Sequence, residues 1–511
     1  MLDVSNGFFS SPARCGILIA LLAATVYANS IGGDFVWDDL YVLSQNLNIR
    51  DIGNIPNYFI STEKSYAYDM KVYRPLRQTM FAVEYQLFGL DPRGYHVVNV
   101  VLHALNSVLV FVVCRRLTGD VAGAFLIGLL FSVHPLTTEV VANITGRTDL
   151  LFAAFFLLGV YFRLDSRDRA IDRRFHWIVI LAYCGSLLSK EMAVVFPLVI
   201  VLLDLYRQPD VRTVFRVNMP TYLALGAVTV GYMVLRTAAI GDLGRAEYYG
   251  DSLWTTFYSS ARIFFLYLKL FFIPYPLSAR YDLLLIESPL NPYVVGFIAS
   301  LLVLGAMTLR ALYRKHINLV VLGGWWLLIT LLPVSNLIPI RAAMMGERYL
   351  YIPMLGLFLC LYGLFAARQT LAQNGVRRLL AGAGSVAVVI FFSLTVQRNA
   401  AWADNLTLFE DTAKKAPDML VVHWHLFEEY KRLGDNRKAA TEYREMKRIN
   451  LKTATEFLDI ARRYRGEGRL ADAQRMARSA LRTKPDFAEA EQFLASLVDP
   501  AQAGGVSPPL P

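Results

Sequence analysis

The sequence predicts an all-α membrane protein: a polytopic helix bundle followed by a short solenoid of helical repeats. Three observations carry that prediction. The 511 residues are 55% hydrophobic with a mean hydropathy of +0.40, more apolar than soluble globular proteins usually are. Runs of roughly 17 to 21 apolar residues recur with few charges inside them, each long enough to cross a hydrocarbon core about 30 Å thick. Beyond residue 397 the chain becomes charged and helical, and its residues recur at a fixed spacing.

The first run, "CGILIALLAATVYANSI" after Arg14, leads into no soluble domain through a small-residue cleavage site. It reads as a retained span over 14–32 and not as a signal peptide. Further spans are expected over 96–114, 121–137, 147–163, 176–189, 191–206, 220–236, 292–309, 318–335, 347–366 and 379–396, about eleven in all. Basic clusters mark alternate loops: Arg115 with Arg116, "RLDSRDRAIDRR", "YRQPDVRTVFR", "RALYRKH" and the stretch from Arg368 to Arg378. By the positive-inside rule these are cytoplasmic, which puts the N-terminus inside and the C-terminus outside. Residues 257–276 carry Arg262 and Lys269, and crossing there would invert every later loop. They are expected to lie in the outer interface or to re-enter the membrane. The net charge of +10 is accounted for by the cytoplasmic loops, so no nucleic acid is implied. Cys15, Cys114, Cys184 and Cys360 fall in or beside apolar runs, without the spacing of a zinc site or a disulfide framework.

In the C-terminal part, Tyr430, Gly434 and Ala439 recur as Tyr464, Gly468 and Ala473, and Leu426 is answered by Ile460. The 34-residue period is that of the tetratricopeptide repeat, whose paired helices need a large residue, a turn glycine and a small alanine at fixed offsets. Pro417 and Pro485 occupy the closing position, and Leu451 stands at the one between. Two full repeats are expected over 397–497, with a half repeat before and a capping helix at 487–497. Leu426, Tyr430, Ile460 and Tyr464 read as packing positions. Residues 498–511, rich in Gly and Pro, read as a disordered tail.

This orientation makes the outer loops informative. "GDFVWDDLYVLSQN", residues 33–46, places Asp38 and Asp39 where the chain leaves the membrane. A neighbouring pair of carboxylates, partly buried, can supply a general base near neutral pH. The plain alternative is a solvated or helix-capping pair. "HPLTTEVVANITGRTD" brings His134, Glu139, Arg147 and Asp149 to the same face, and "SKE" sets Lys190 and Glu191 between two apolar runs. Charges there are expensive unless paired or functional. Arg74, Arg77, Arg236, Arg341, Glu347 and Arg348 complete the outer set. Any one of these cations has a structural ion pair as its ordinary explanation. Together they fit the phosphate of an anionic lipid faced by carboxylates.

The motifs "FVWDDLYVLSQN", "YRPLRQTMFAVEYQLFGLDPRGYHVVNVVLHALN", "FSVHPLTTEVVANITGRTDLLFAAFFLL", "SKEM" and "MGERYLYIP", followed by the repeats, resemble the transmembrane and tetratricopeptide-repeat-containing O-mannosyltransferases. The likeness covers most of the chain in unbroken order. It implies a GT-C membrane glycosyltransferase that takes a sugar from a polyprenyl-phosphate donor on the lumenal or periplasmic side. By the same likeness Asp38 and Asp39 form the acidic motif that deprotonates the acceptor hydroxyl, and His134 and Glu139 belong to the second outer acidic site. Two features depart from the family: the repeat array is shorter, which bears on the acceptor, and Trp37 precedes the acidic pair where the family often has His. The short array and compact loops imply a bacterial homologue in the plasma membrane, with its repeats in the periplasm.

The expected chemistry is inverting transfer. An aspartate takes the acceptor proton, lipid phosphate departs, and Arg74, Arg77, Arg147, Lys190 and Arg348 stabilise its charge. No metal and no cofactor are expected. The expected partners are a polyprenyl-phosphate-linked sugar, a hydroxyl-bearing acceptor on protein or glycan, membrane lipids, and a protein bound on the repeats. A second reading, from another class, is a non-catalytic membrane scaffold that recruits partners through its repeats. A transporter would place ionisable groups at the bilayer midplane, whereas these charges fall at span ends.

Overall fold

The computed structural model describes residues 11–61, 72–165, 173–241, 248, 252–337, 343–367 and 374–497. Arg341, the basic loops at 166–172 and 368–373, and the tail at 498–511 lie outside the described residues. The chain divides into two compact units at Leu408/Phe409.

The first unit is built from α1 (Pro12–Val26), α2 (Ile55–Tyr58), α3 (Pro75–Phe88), α4 (Pro92–Thr118), α5 (Val121–Val133), α6 (Thr138–Ala142), α7 (Arg147–Asp165) and α8 (Arg173–Ser189). It continues through α9 (Phe196–Arg207), α10 (Val211–Ile240), α11 (Leu253–Phe272), α12 (Pro292–Tyr313), α13 (Leu319–Leu331), α14 (Met354–Ala367) and α15 (Asn374–Ala400). No strand occurs among the described residues. Local sequence sets the helix ends. Proline opens α1, α3, α4 and α12, where its missing N–H has no helical partner to lose. Asp91, Asp120, Asn291 and Asn318 accept backbone N–H groups at the starts of α4, α5, α12 and α13.

Six described stretches, 12–30, 92–118, 144–165, 211–240, 292–313 and 379–400, are long and apolar enough to cross a membrane. The pair 121–133 and 135–142, bent by 52°, would make a seventh. Shorter apolar helices cover 176–189, 319–334 and 354–365. The segment expected to span from 191 instead begins with a tight turn over Glu191–Val195, and α9 alone has 12 residues, about 18 Å of helix. The expected interfacial segment is α11, which is not among the long apolar stretches.

Aromatic side chains knit the bundle centre: Phe156 meets Phe196 and Trp326 edge-on, and Tyr183 stacks on Phe196. At α13 and α14 the contact is backbone to backbone, since a Cβ on Gly323 would strike the Gly356 carbonyl and one on Gly356 the Gly323 carbonyl. Small residues permit that approach where water supplies no driving force between helices. At the end remote from the acidic pair, Arg163 is buried against Asp204 and Asn218, and Tyr222 donates to the same aspartate.

α16 (Asn405–Lys415) leads into the second unit, which continues with α17 (Leu420–Arg432), α18 (Asn436–Gly466), α19 (Leu470–Thr483) and α20 (Ala488–Ser496). Gly434 and Gly468, one period apart, both adopt left-handed backbone, with φ of +77° and +75°, the conformation that ends a helix with glycine. Ala439 and Ala473 are buried, as are Leu426 and Tyr430. Ile460 and Tyr464 pack on the core formed by Leu458, Met476, Phe487 and Phe493. One expected turn is missing. α18 runs unbroken for 31 residues through Leu451, so the second helix of one repeat and the first of the next are a single rod about 46 Å long. The closing prolines at 417 and 485 stop their helices. Leucine at 451 keeps its N–H and lets the helix propagate.

Leu451→Pro therefore tests the rod. It removes a mid-helix hydrogen bond and should cost about 3 kcal/mol. Full-length protein in detergent should show lower thermal stability and new proteolytic cleavage near residue 451. An unchanged protein would mean that the chain turns there.

Candidate functional site

Among the described residues, the outer-loop charges predicted from the sequence gather at one end of the first unit, around the turn Asp34–Asp39. Trp37 holds left-handed backbone, φ +52°, which for a bulky side chain costs of order 1–3 kcal/mol unless its surroundings impose it. The turn sends the two aspartates into different environments. Asp39 is fully buried. Its Oδ2 accepts from the Val36 N–H at 3.1 Å and its Oδ1 from the Thr145 N–H at 2.7 Å, so it staples the first loop to the turn before α7. Burial pushes its carboxyl up to about 7, the Asp38 charge adds to this, and the two N–H groups pull the other way. Asp38 is partly exposed. Its charge supports the guanidinium charges of Arg280 and Arg348.

Glu139, on α6, is buried and accepts both the Arg348 backbone N–H at 2.8 Å and its guanidinium at 3.0 Å. Burial opposes the Arg348 charge, but Glu139, Tyr349, Asp38 and Asp149 outweigh it and hold its pKa above the ordinary value. Lys190 is buried with Asp149 at 2.5 Å, and Arg74 grips Glu191 through two bonds of 2.7 and 3.2 Å. The Tyr349 ring lies between Lys190, at 5.7 Å, and Arg348, at 5.5 Å. Lys190 therefore shares its surroundings with Arg74 and Arg348, whose charges add to burial in lowering its pKa, against Asp149. Arg77 is buried and donates to Thr148 at 3.2 Å.

Two sequence assignments change. Arg147, expected to bind phosphate, has no exposed surface. Its fork is taken by Glu84, by Asn99 Oδ1 at 2.6 Å and by the Tyr95 carbonyl at 2.9 Å. It is a framework residue that ties α3, α4 and α7 together. His134, expected to act in catalysis, has both ring nitrogens occupied. Nδ1 accepts the Leu136 N–H at 3.2 Å, which leaves Nε2 to donate to the Phe271 carbonyl at 3.0 Å. Its ring stacks on Phe271, so it joins α5 to the end of α11 and has no nitrogen left to move a proton.

Arg280 escaped the sequence reading. It is the lone cation in the loop between α11 and α12, which is itself a signal on a face where the charge rule expects few. Its guanidinium lies 4.7 Å over the Trp37 ring. Burial lowers its pKa first, and Arg348 adds to that, against Asp38 and Glu139. Its Nε is buried without a hydrogen bond, and no ion pair joins it to a carboxylate among the described residues. Glu347 sets its position by accepting the Ser278 N–H at 2.6 Å and the Tyr281 hydroxyl at 2.8 Å on either side of it. Among the described residues no three His, Cys, Asp or Glu side chains converge to hold a metal ion.

Fold and site together define a multi-pass membrane protein with an acid and base cluster at one end of its helices. Comparison with known proteins agrees and narrows the class. The family model described as dolichyl-phosphate-mannose-protein mannosyltransferase matches residues 75–235. A protein O-mannosyl-transferase of Caenorhabditis elegans is 26% identical over 432 residues, 82% of this chain and 60% of its own length. Protein O-mannosyl-transferase TMTC4 of Homo sapiens is 27% identical over 493 residues, 84% of this chain and 66% of its own length. Against the crystal structure of ArnT from Cupriavidus metallidurans bound to undecaprenyl phosphate, the TM-score is 0.46 at 14% identity, covering 81% of this chain and 80% of that one. The chain is thus similar to protein O-mannosyl-transferases, and it spans 60 to 66% of the length of these two curated relatives.

The division between framework and open charges has a direct test. Arg147→Ala strands Glu84 in the interior and should cost about 3–5 kcal/mol, read as a large fall in the detergent melting temperature. Arg280→Ala, which breaks no ion pair, should leave that temperature nearly unchanged.

Proposed function

We propose that the protein is a membrane glycosyltransferase that moves a sugar, mannose or another hexose, from a polyprenyl-phosphate donor to a hydroxyl on protein or glycan at the extracytoplasmic face. Likeness to protein O-mannosyl-transferases supports the class. One observation carries the mechanism: beside the buried Asp39, Asp38 is partly exposed and forms no ion pair among the described residues, and its charge acts on Arg280 and Arg348.

Asp38 is the base in this reading. It accepts the acceptor proton as the acceptor oxygen attacks the anomeric carbon, on the side opposite the departing phosphate. The bond from anomeric carbon to phosphate oxygen breaks, and the lipid phosphate leaves with one more negative charge. Arg280 and Arg348 receive that charge in a largely desolvated setting, where a guanidinium fork matches phosphate geometry. Lys190 and Arg74, already paired with Asp149 and Glu191, sustain the positive potential behind them. Asp39 and Glu139 are positioning residues: Asp39 fixes the turn and Glu139 aims Arg348. The repeats are the proposed holding surface for an acceptor polypeptide or a protein partner, and the membrane is proposed to be a bacterial plasma membrane.

The test is turnover of polyprenyl-phosphate mannose, and separately of the glucose donor, by full-length protein in nanodiscs. Asp38→Asn should fold as wild type and lose about 10²–10⁴-fold in kcat. Asp39→Asn turns an N–H2 toward a backbone donor and should lower stability by about 1–3 kcal/mol. Equal turnover by wild type and Asp38→Asn would remove the mechanism. A chelator should leave the rate unchanged, and a rate abolished by chelation and restored by a divalent cation would add a metal to the account.

A further inference from the structure

The turn that aims Asp38 is held by Asp39 within its own loop and also from outside that loop. Trp37 needs an external constraint to stay at φ +52°, and the segment after α15 supplies one. The Trp37 N–H donates to the Asn405 side-chain carbonyl at 2.7 Å. Three residues earlier, the Asp34 N–H donates to the Ala403 carbonyl at 2.8 Å. Only the oxygen of the Asn405 amide can face an N–H donor, so the orientation of that amide is fixed. Gly33 makes room for this segment: a Cβ there would come within 3.2 Å of the Ser30 carbonyl, 3.3 Å of His96 Nε2 and 3.5 Å of the Ala403 carbonyl. The segment is itself secured. Trp402 is buried, and Asp404 accepts the Thr407 N–H at 2.8 Å and its hydroxyl at 2.8 Å, an N-cap that sets the first turn of α16. Asn405 therefore presents its carbonyl from a fixed helix start to the peptide that precedes the acidic pair.

We propose that Asn405 is a positioning residue for Asp38: its side-chain carbonyl holds the Trp37 peptide in left-handed geometry and so aims the neighbouring carboxylate. The inference rests on the reading of Asp38 as the base. In this account Asn405 acts on Asp38 through the Trp37 N–H.

The experiment uses full-length protein in nanodiscs, with Asn405→Ala, Asn405→Thr and Asn405→Asp beside wild type. Two readouts are taken: amide hydrogen exchange over residues 33–40, and kcat and KM for polyprenyl-phosphate mannose. Alanine removes the acceptor and threonine lacks its reach, so both should exchange faster at Trp37. Both should also lose about ten- to a hundredfold in kcat, the scale of an ångström-level misplacement, with donor KM little changed. Asp keeps an acceptor oxygen and should retain protection at Trp37. Threonine serves if the alanine variant fails to fold. Unchanged exchange in both variants would overturn the inference, as would faster exchange with full kcat, or a change confined to KM. Wild-type protein that turns over no polyprenyl-phosphate sugar would overturn the reading of Asp38 instead, a failure told apart by faster Trp37 exchange in the variants.

Discussion

The site depends on one buried cation. Arg147 has no solvent contact, and burying an unpaired guanidinium would be prohibitive. Glu84, Asn99 and the Tyr95 carbonyl make it tolerable, and in doing so they fix the start of α7 against α3 and α4. The residues just before Arg147 inherit that rigidity. Thr145 is among them, and its N–H binds Asp39. Asp39 in turn fixes the turn that carries the partly exposed Asp38, whose charge acts on Arg280 and Arg348. A structural ion pair thus reaches the proposed base through two backbone hydrogen bonds and one turn.

The same arrangement explains how so many charges coexist at the edge of a membrane. Arg74 with Glu191, Lys190 with Asp149, and Arg348 with Glu139 are all paired, so the potential is carried by groups whose desolvation is already offset. What is left open is small. Asp38 is partly exposed, and Arg280 is held over Trp37 by a loop that Glu347 pins on both sides. Opposite charges held apart by a fixed framework suit a reaction that needs a base at one atom and a positive site for a leaving group at another.

Much of this was legible in the sequence. Apolar runs marked the bundle, and "VWDD", "HPLTTE", "GRTD", "SKE" and "MGERY" named most of the side chains that converge. The repeated glycines marked two helix ends, but the turn expected near Leu451 does not form, because leucine there lets α18 propagate. The sequence could not say which charge pairs with which, since Arg147 and Glu84 stand far apart in the chain. That is why Arg147 read as a phosphate ligand and His134 as catalytic, when both are consumed by the framework. Nor could adjacency divide Asp38 from Asp39, because the left-handed backbone at Trp37 that separates them sits on a residue that rarely adopts it. Arg280 was overlooked because its loop follows an ambiguous amphipathic helix and carries no motif.

The central claim is that Arg280 and Asp38 are the open ends of an otherwise closed charge network. The most direct measurement is an experimental structure of the full chain with a polyprenyl phosphate bound. The account predicts phosphate oxygens within hydrogen-bond distance, about 3 Å, of the Arg280 guanidinium, with Arg147 still bound to Glu84. A phosphate seated on Arg147, or one that leaves Arg280 unengaged on Trp37, would contradict it.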